Sequence, residues 1–345
     1  MTALRFILTA CALAVAAAAA PAIAAPPEAL FASDEPIRIT IQAPLKQLMS
    51  DRAFRGAVAG TLTDPAGAKL PAQFSLRGIT RRTAEVCDFA PLRVDFAGPP
   101  PTGSVFSGQN KLKLVTHCKT SPGFQQKVLL EYAAYKMYNQ LTERSMRARL
   151  ATVDYIDGDG RPLLSRVGFF LEDVRDIARR NELAPMRAGV RIATNWLSPP
   201  DAARYALFQH LIANHDWSMR AGPVGDKCCH NAELIGSGAP GAVIPVPYDF
   251  DFSGLVDAPY ATAPDDIGIS NVRQRRYRGY CVISAPAVAS AAEFTQRKPA
   301  MLRALAATPG LDPRTRDRAA SYLDSAFAQM ASGPGLAAIL KTCVG

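Results

Sequence analysis

The sequence predicts an α+β protein, with strands dominating the first half and helices the second. Three observations carry that reading. Short alternations of apolar and polar residues recur between positions 36 and 116, and period two marks a strand with one buried face. One stretch, residues 124–141, instead keeps Val128, Leu129, Tyr132, Tyr135, Met137 and Leu141 at roughly helical spacing. Beyond Pro199 the apolar segments lengthen to helix size, interrupted by a short β-branched run at 243–246.

Taken in order, residues 1–25 carry Arg5 as their only charge, then an apolar run ending in Ala22-Ile23-Ala24. That is the pattern of a cleaved secretory signal, and the run is short for a membrane span. Its removal lowers the formal net charge from +9 to +8 and leaves 320 residues, enough for one large domain or two lobes. No later segment reads as a membrane span, so the expectation is an exported protein, periplasmic or secreted. The positive balance suits anionic partners such as phosphates or acidic surfaces. It does not indicate nucleic acid, and its only local concentration is Arg273, Arg275, Arg276 and Arg278.

Of seven cysteines, Cys11 leaves with the signal and six remain: Cys87, Cys118, Cys228, Cys229, Cys281 and Cys343. An even number in an exported chain reads as disulfides. Pairing is not deducible from sequence; Cys87 with Cys118 and Cys281 with Cys343 are the pairings expected. Cys228-Cys229-His230 lacks the second spaced pair a zinc site requires.

Strands are predicted at 36–42 (PIRITIQ), 57–63, 72–77, 92–96 and 111–116 (KLKLVT). The last places Lys111 and Lys113 on one face and Leu112 and Leu114 on the other. Ser121-Pro122-Gly123 supplies a start for the helix that carries Glu131. Residues 151–156 and 163–171 read as a hairpin whose link, Asp157-Gly158-Asp159-Gly160, is a tight turn. It lacks the later ligands of a calcium loop. Residues 172–180 are polar and are expected to join two parts, 36–174 and 175–345. Helices are predicted at 202–213, 285–306 and 312–330.

Several familiar motifs fail. Gly236 to Gly241 spells GxGxxG, but β-branched residues follow where a dinucleotide fold needs a helix. Walker A, HExxH and GxSxG patterns are absent from the sequence. What stands out is the stretch 211–255. Asp216 follows an apolar helix, His230-Asn231 comes later, and Asp249 and Asp251 end the β-branched run. Polar groups gathered at the end of an apolar strand are costly to desolvate without a partner, and magnesium is a natural partner for oxygen ligands. A magnesium-phosphate site is therefore expected there.

The ordered set of segments resembles the spore-coat CotH-type kinase family, which has an atypical protein-kinase-like fold. Phe74 to Arg81 (FSLRGITR) resembles its RGxSR-type loop, and Lys111-Leu112-Lys113-Leu114 its lysine strand. Residues 127–138 resemble the following helix. Tyr155-Ile156-Asp157-Gly158 and Gly168-Phe169-Phe170-Leu171-Glu172 resemble its hairpin and hinge, while Asp216-Trp217, His230-Asn231 and Pro247-Tyr248-Asp249-Phe250-Asp251 resemble its catalytic end. The match covers roughly residues 36–255.

The resemblance implies two lobes, a β-rich one with one prominent helix and a mostly helical one. It implies ATP and Mg2+ as cofactors and a protein acceptor in the envelope or outside the cell. Lys113, or alternatively Lys111, would contact phosphates with Glu131 as its partner, and Arg77 and Gly78 would cover the nucleotide. Glu172 would face the base from the hinge. Asp216 would orient or deprotonate an acceptor hydroxyl. Asp249 would ligate magnesium with Asn231, and Asp251 stands in reserve. Asn231 lies fifteen positions after Asp216, so the segment between them must fold back. A protein that keeps such a site without chemistry, as a binding or envelope-assembly module, is the second reading; a disulfide-rich structural protein without a nucleotide site is the third.

Overall fold

The computed structural model describes residues 29–345; the expected secretory signal lies outside the described residues. Among the described residues ten strands and seven α-helices follow one another. The first seven strands are β1 (Ile37–Gln42), β2 (Val58–Thr63), β3 (Lys69–Leu76), β4 (Leu92–Phe96), β5 (Lys111–Val115), β6 (Ala148–Ile156) and β7 (Pro162–Leu171). They form a closed barrel in the order β1-β2-β3-β4-β5-β7-β6. The short helix α1 (Leu45–Ser50) follows β1, and α2 (Pro122–Tyr138) is the connection from β5 to β6.

This closure corrects the predicted architecture. The fold is α+β, but its N-terminal half is a barrel of mixed pairing, not the sheet-bearing lobe of a two-lobed kinase-like fold. The cause is one non-local pairing. β1 runs parallel to β6 from Ile37↔Ala151 to Gln42↔Ile156, while its other edge pairs with β2. Closure leaves neither terminal strand with a free edge. Alternation in each strand shows which residues face a core, but not which strand lies beside which.

Strand periodicity still determines what each face does. On β7, Phe170 packs in the barrel core near Phe106, and the preceding Phe169 points outward to Tyr132 and Tyr135 of α2. The barrel thus has its own apolar interior, and α2 belongs to the larger core of the helical half. That half contains α3 (Val174–Arg180), α4 (Pro199–Leu211), α5 (Ser284–Ala306), α6 (Pro313–Ala331) and α7 (Gly333–Leu340). It also holds a three-stranded sheet of β8 (Ala184–Met186), β9 (Ala232–Gly236) and β10 (Val243–Pro247), in the order β10-β9-β8. The expected polar joint at 172–180 contains α3, capped by the Asp173 carboxylate, which accepts from the Arg175 N–H.

Among the described residues three disulfides are formed: Cys87–Cys118, Cys228–Cys229 and Cys281–Cys343. The first and third are the pairings expected from the sequence. No helix among the described residues is long and apolar enough to cross a membrane.

Because Phe170 is fully buried inside the closed barrel, Phe170→Ala is expected to cost about 3–5 kcal/mol. Urea unfolding of the two proteins measures this; a loss below about 1 kcal/mol would mean the barrel interior is not packed around this ring.

Candidate functional site

The centre of the site is a buried arginine. β3 leads through Arg77 and Gly78, the latter at φ 84°, into a 3-10 turn over Thr80–Arg82. A positive φ is cheap only for glycine, and it redirects the chain so that Arg81 turns inward. Arg81 is 6 % exposed. One guanidinium nitrogen donates to Glu131 Oε2 at 3.0 Å and another to the Thr116 carbonyl at 2.8 Å. Asp251 Oδ2 stands 3.9 Å away.

Around this cation three carboxylates converge. Glu131 arrives on the inner face of α2, and Asp249 and Asp251 arrive where β10 ends. One oxygen from each of the three lies within 4.8 Å of the others. Asp249 is left-handed, at φ 61°, and its N–H donates to the Tyr135 hydroxyl at 2.8 Å. Asp251 accepts from the Tyr260 hydroxyl at 2.9 Å. Glu131 is 1 % exposed, and its Oε1 has no hydrogen-bond partner. Burial pushes the Glu131 carboxyl upward against the pull of Arg81, and Asp251 and Asp249 add to the rise. Burial likewise raises Asp251, reinforced by Asp249 and opposed by Arg81 and Tyr260. Two buried acids, Glu131 and Asp251, with half-buried Asp249 nearby, face one cation, so the buried pair either holds a proton or shares a further cation.

Asp216 forms a second group. Ser218 and His230 pair as an antiparallel bridge, with N–H to O distances of 2.9 and 3.1 Å. This is the fold-back that the long spacing requires. It brings His230 Nε2 to 2.7 Å from Asp216 Oδ1, and the Asn231 amide to 3.0 Å from Oδ2 and 2.7 Å from the Asp216 carbonyl. The hydrogen bond to Asp216 raises the His230 pKa. The Asn231 amide therefore holds Asp216 by its NH2 group, whereas sequence reasoning gave it to a metal beside Asp249.

Arg81, Asp249 and Asp251 of the first group and Asp216, His230 and Asn231 of the second line one cleft of ≈900 Å3, together with Arg77, Gly78, Cys229 and Tyr248, and Glu131 lies behind its wall. A neighbouring cavity of ≈570 Å3 shares Arg77 with it and is walled by Lys111, Lys113, Leu171, Asp173, Met186 and Glu233. Lys113 stands at their junction. Its ammonium lies 3.4 Å from Glu233 and 4.7 Å from the centre of the Tyr248 ring. Burial lowers its pKa and Arg77 lowers it further, opposed by Glu233 and Asp249.

Most of the residues singled out from the sequence therefore meet: Arg77, Gly78, Asp216, Asn231, Asp249 and Asp251 in the cleft, with Lys111 and Lys113 next door. Two pairings differ. Lys113 takes Glu233 as its partner, and Glu131 takes Arg81. Glu172 does not face either cavity. It is fully buried, bonded by Arg180 at 3.0 and 3.2 Å and by the Arg147 N–H at 3.0 Å. Its role is to tie α3 to the barrel. The roles of Arg81, His230, Tyr260 and Glu233 were missed. Arg81 sat within the loop that was singled out, and the density of arginines there was the available signal.

Raised carboxyls give this site a pH signature. A group whose pKa is higher folded than unfolded stabilises below its unfolded value, and that contribution is lost as pH rises through the folded one. Replacing Arg81 by Met removes the only cation facing Glu131 and Asp251 among the described residues. Arg81→Met is thus expected to cost about 3–5 kcal/mol at pH 8, and distinctly less at pH 5, where protonated acids need no counter-charge. Urea unfolding at the two values checks it; an equal loss at both would show that the acids do not depend on Arg81 for neutralisation.

A scan against protein-family models finds no match to this chain, and a search of curated proteins finds none.

Proposed function

We propose that the cleft is a phosphoryl-transfer site, in which ATP and Mg2+ serve an exported CotH-like kinase that modifies Ser or Thr hydroxyls of a surface or envelope protein. The observation that carries this reading is the meeting of Glu131, Asp249 and Asp251 with Arg81 beside a cavity edged by Lys113 and Arg77. Phosphoryl transfer asks a protein mainly for positioned charge and an oriented nucleophile. Hard divalent ions favour carboxylate oxygens, and the unpartnered Glu131 Oε1 is an acceptor lacking a donor. The bound ion would supply neutralisation of phosphate charge.

The chain's own residues supply the rest of the reading. Arg77 and Lys113 present cations to the phosphates where the two cavities adjoin, and Leu171 and Met186 offer apolar wall for a base. Asp216 faces the cleft as acceptor for a hydroxyl proton, which would leave it a neutral acid, and His230, bonded to it at 2.7 Å, orients the carboxylate. Export agrees with the three disulfides and with the lack of a membrane-crossing helix among the described residues.

One observation favours a different reading, a binding or envelope-assembly module without chemistry. Both Asp216 carboxylate oxygens already have partners, His230 and Asn231, and a fully engaged acid is a poor base.

Radiolabel transfer from ATP with magnesium separates the two. The kinase reading expects transfer that Asp249→Ala abolishes, and thermal stabilisation by millimolar MgATP through mass action. Transfer unchanged in Asp249→Ala would overturn the assigned site. Stabilisation without transfer would favour the binding module.

A further inference from the structure

A separate cavity of ≈680 Å3 opens between the first turns of α2 and α6 and the loop at Leu255 and Asp257. None of its lining residues lines either cavity described above. Four cations reach it from three parts of the chain: Lys127 from α2, Arg273 from the loop before α5, and Arg314 and Arg318 from α6. Two carboxylates also line it, Asp257 and Asp312.

The charges do not cancel. Asp257 is shared between Lys127 at 4.0 Å and Arg273 at 3.5 Å. Asp312 caps α6, accepting from the Thr315 N–H and hydroxyl, both at 2.8 Å. Among the described residues, neither Arg314 nor Arg318 has a carboxylate within salt-bridge distance. They stand four positions apart on one helix, where like charges repel. The positive excess is two charges. Lys127 registers the crowding: burial lowers its pKa, and Arg318 and Arg273 lower it further against Asp257.

The walls are set in advance of any ligand. The Arg273 guanidinium lies 4.4 Å from the centre of the Tyr322 ring, and the Tyr322 hydroxyl donates to the Arg273 carbonyl at 2.8 Å. Gln126 bridges α2 to the turn before α6, donating to the Gly310 carbonyl at 3.0 Å and accepting from the Asp312 N–H at 2.9 Å. A fixed opening with guanidinium groups and two uncompensated positive charges matches a doubly charged anion that accepts several hydrogen bonds, and the planar arginine fork suits phosphate oxygens. Such preorganisation limits the ordering cost of binding.

We infer that this cavity is an anion site for a phosphate monoester, independent of the cleft. The shared chemistry is the phosphate group, whether carried on a phosphorylated protein segment or on a small metabolite.

Calorimetric titration of the mature chain tests it, with inorganic phosphate and, separately, a peptide bearing one phosphoserine. Arg314 and Arg318 are exposed, so Arg314→Ala/Arg318→Ala is expected to fold normally, as the thermal midpoint will verify. Loss of two charge-assisted contacts should weaken binding by about tenfold or more, while Lys113→Ala in the cavity beside the cleft leaves this binding unchanged. Binding of the peptide alone assigns the site to a phosphorylated chain; binding of both probes shows that the phosphate group suffices. No binding of either probe to the unaltered protein, or equal affinity in the double variant, would overturn the inference.

Discussion

The buried guanidinium of Arg81 is the interaction on which the rest of the site depends. It joins the turn after β3, the carbonyl after β5, the middle of α2 and the end of β10. Without a cation at this point, Glu131 and Asp251 would be acids buried side by side, each several kcal/mol out of its preferred medium. With it, the barrel and the helical half are held by a contact whose geometry also determines where the carboxylates point. The same contact is incomplete as an electrostatic balance. One arginine faces three acids, and Glu131 Oε1 remains without a donor. Structural stability and an appetite for further positive charge come from the same residues.

Around that centre each remaining element has a positional task. The antiparallel bridge between Ser218 and His230 returns the chain to Asp216, and the Cys228–Cys229 disulfide lies immediately before it, with Cys229 on the cleft wall. Glu172 with Arg180 is a second buried pair, 0 and 3 % exposed. It anchors α3, whose cap Asp173 edges the adjoining cavity. Lys113 is held between Glu233 and the Tyr248 ring, which keeps its ammonium at the boundary of the two cavities.

How much of this was legible in the sequence follows from the range of each interaction. Period-two alternation located β1, β2, β4 and β5 nearly to the residue, because alternation is local. Helical spacing and the Ser121-Pro122 start located α2. Barrel closure was invisible, because the pairing of Ile37–Gln42 with Ala151–Ile156 joins residues more than a hundred positions apart without any mark in either strand. Short α1 and β8 have too few residues for either period to register.

The chemistry divides in the same way. Asp216, Asp249 and Asp251 stood out because carboxylates at the ends of apolar runs have few structural reasons to be there, and all three reach the cleft. Their partners were harder. A strand lysine facing a helix glutamate is an economical guess, yet the glutamate is met by an arginine from a turn whose direction depends on Gly78 at positive φ. Glu172 was placed at the cleft by the resemblance of Gly168 to Glu172 to a kinase hinge. Only the three-dimensional position of Arg180 shows that it points inward.

The most direct measurement is the affinity of the acidic trio for a divalent ion, read from the loss of the free Mn2+ signal in electron paramagnetic resonance as the ion is titrated into the protein with a non-hydrolysable ATP analogue. One saturable site is expected, weakened in both Glu131→Gln and Asp249→Asn. Absence of a saturable site, or an affinity that neither substitution changes, would contradict it.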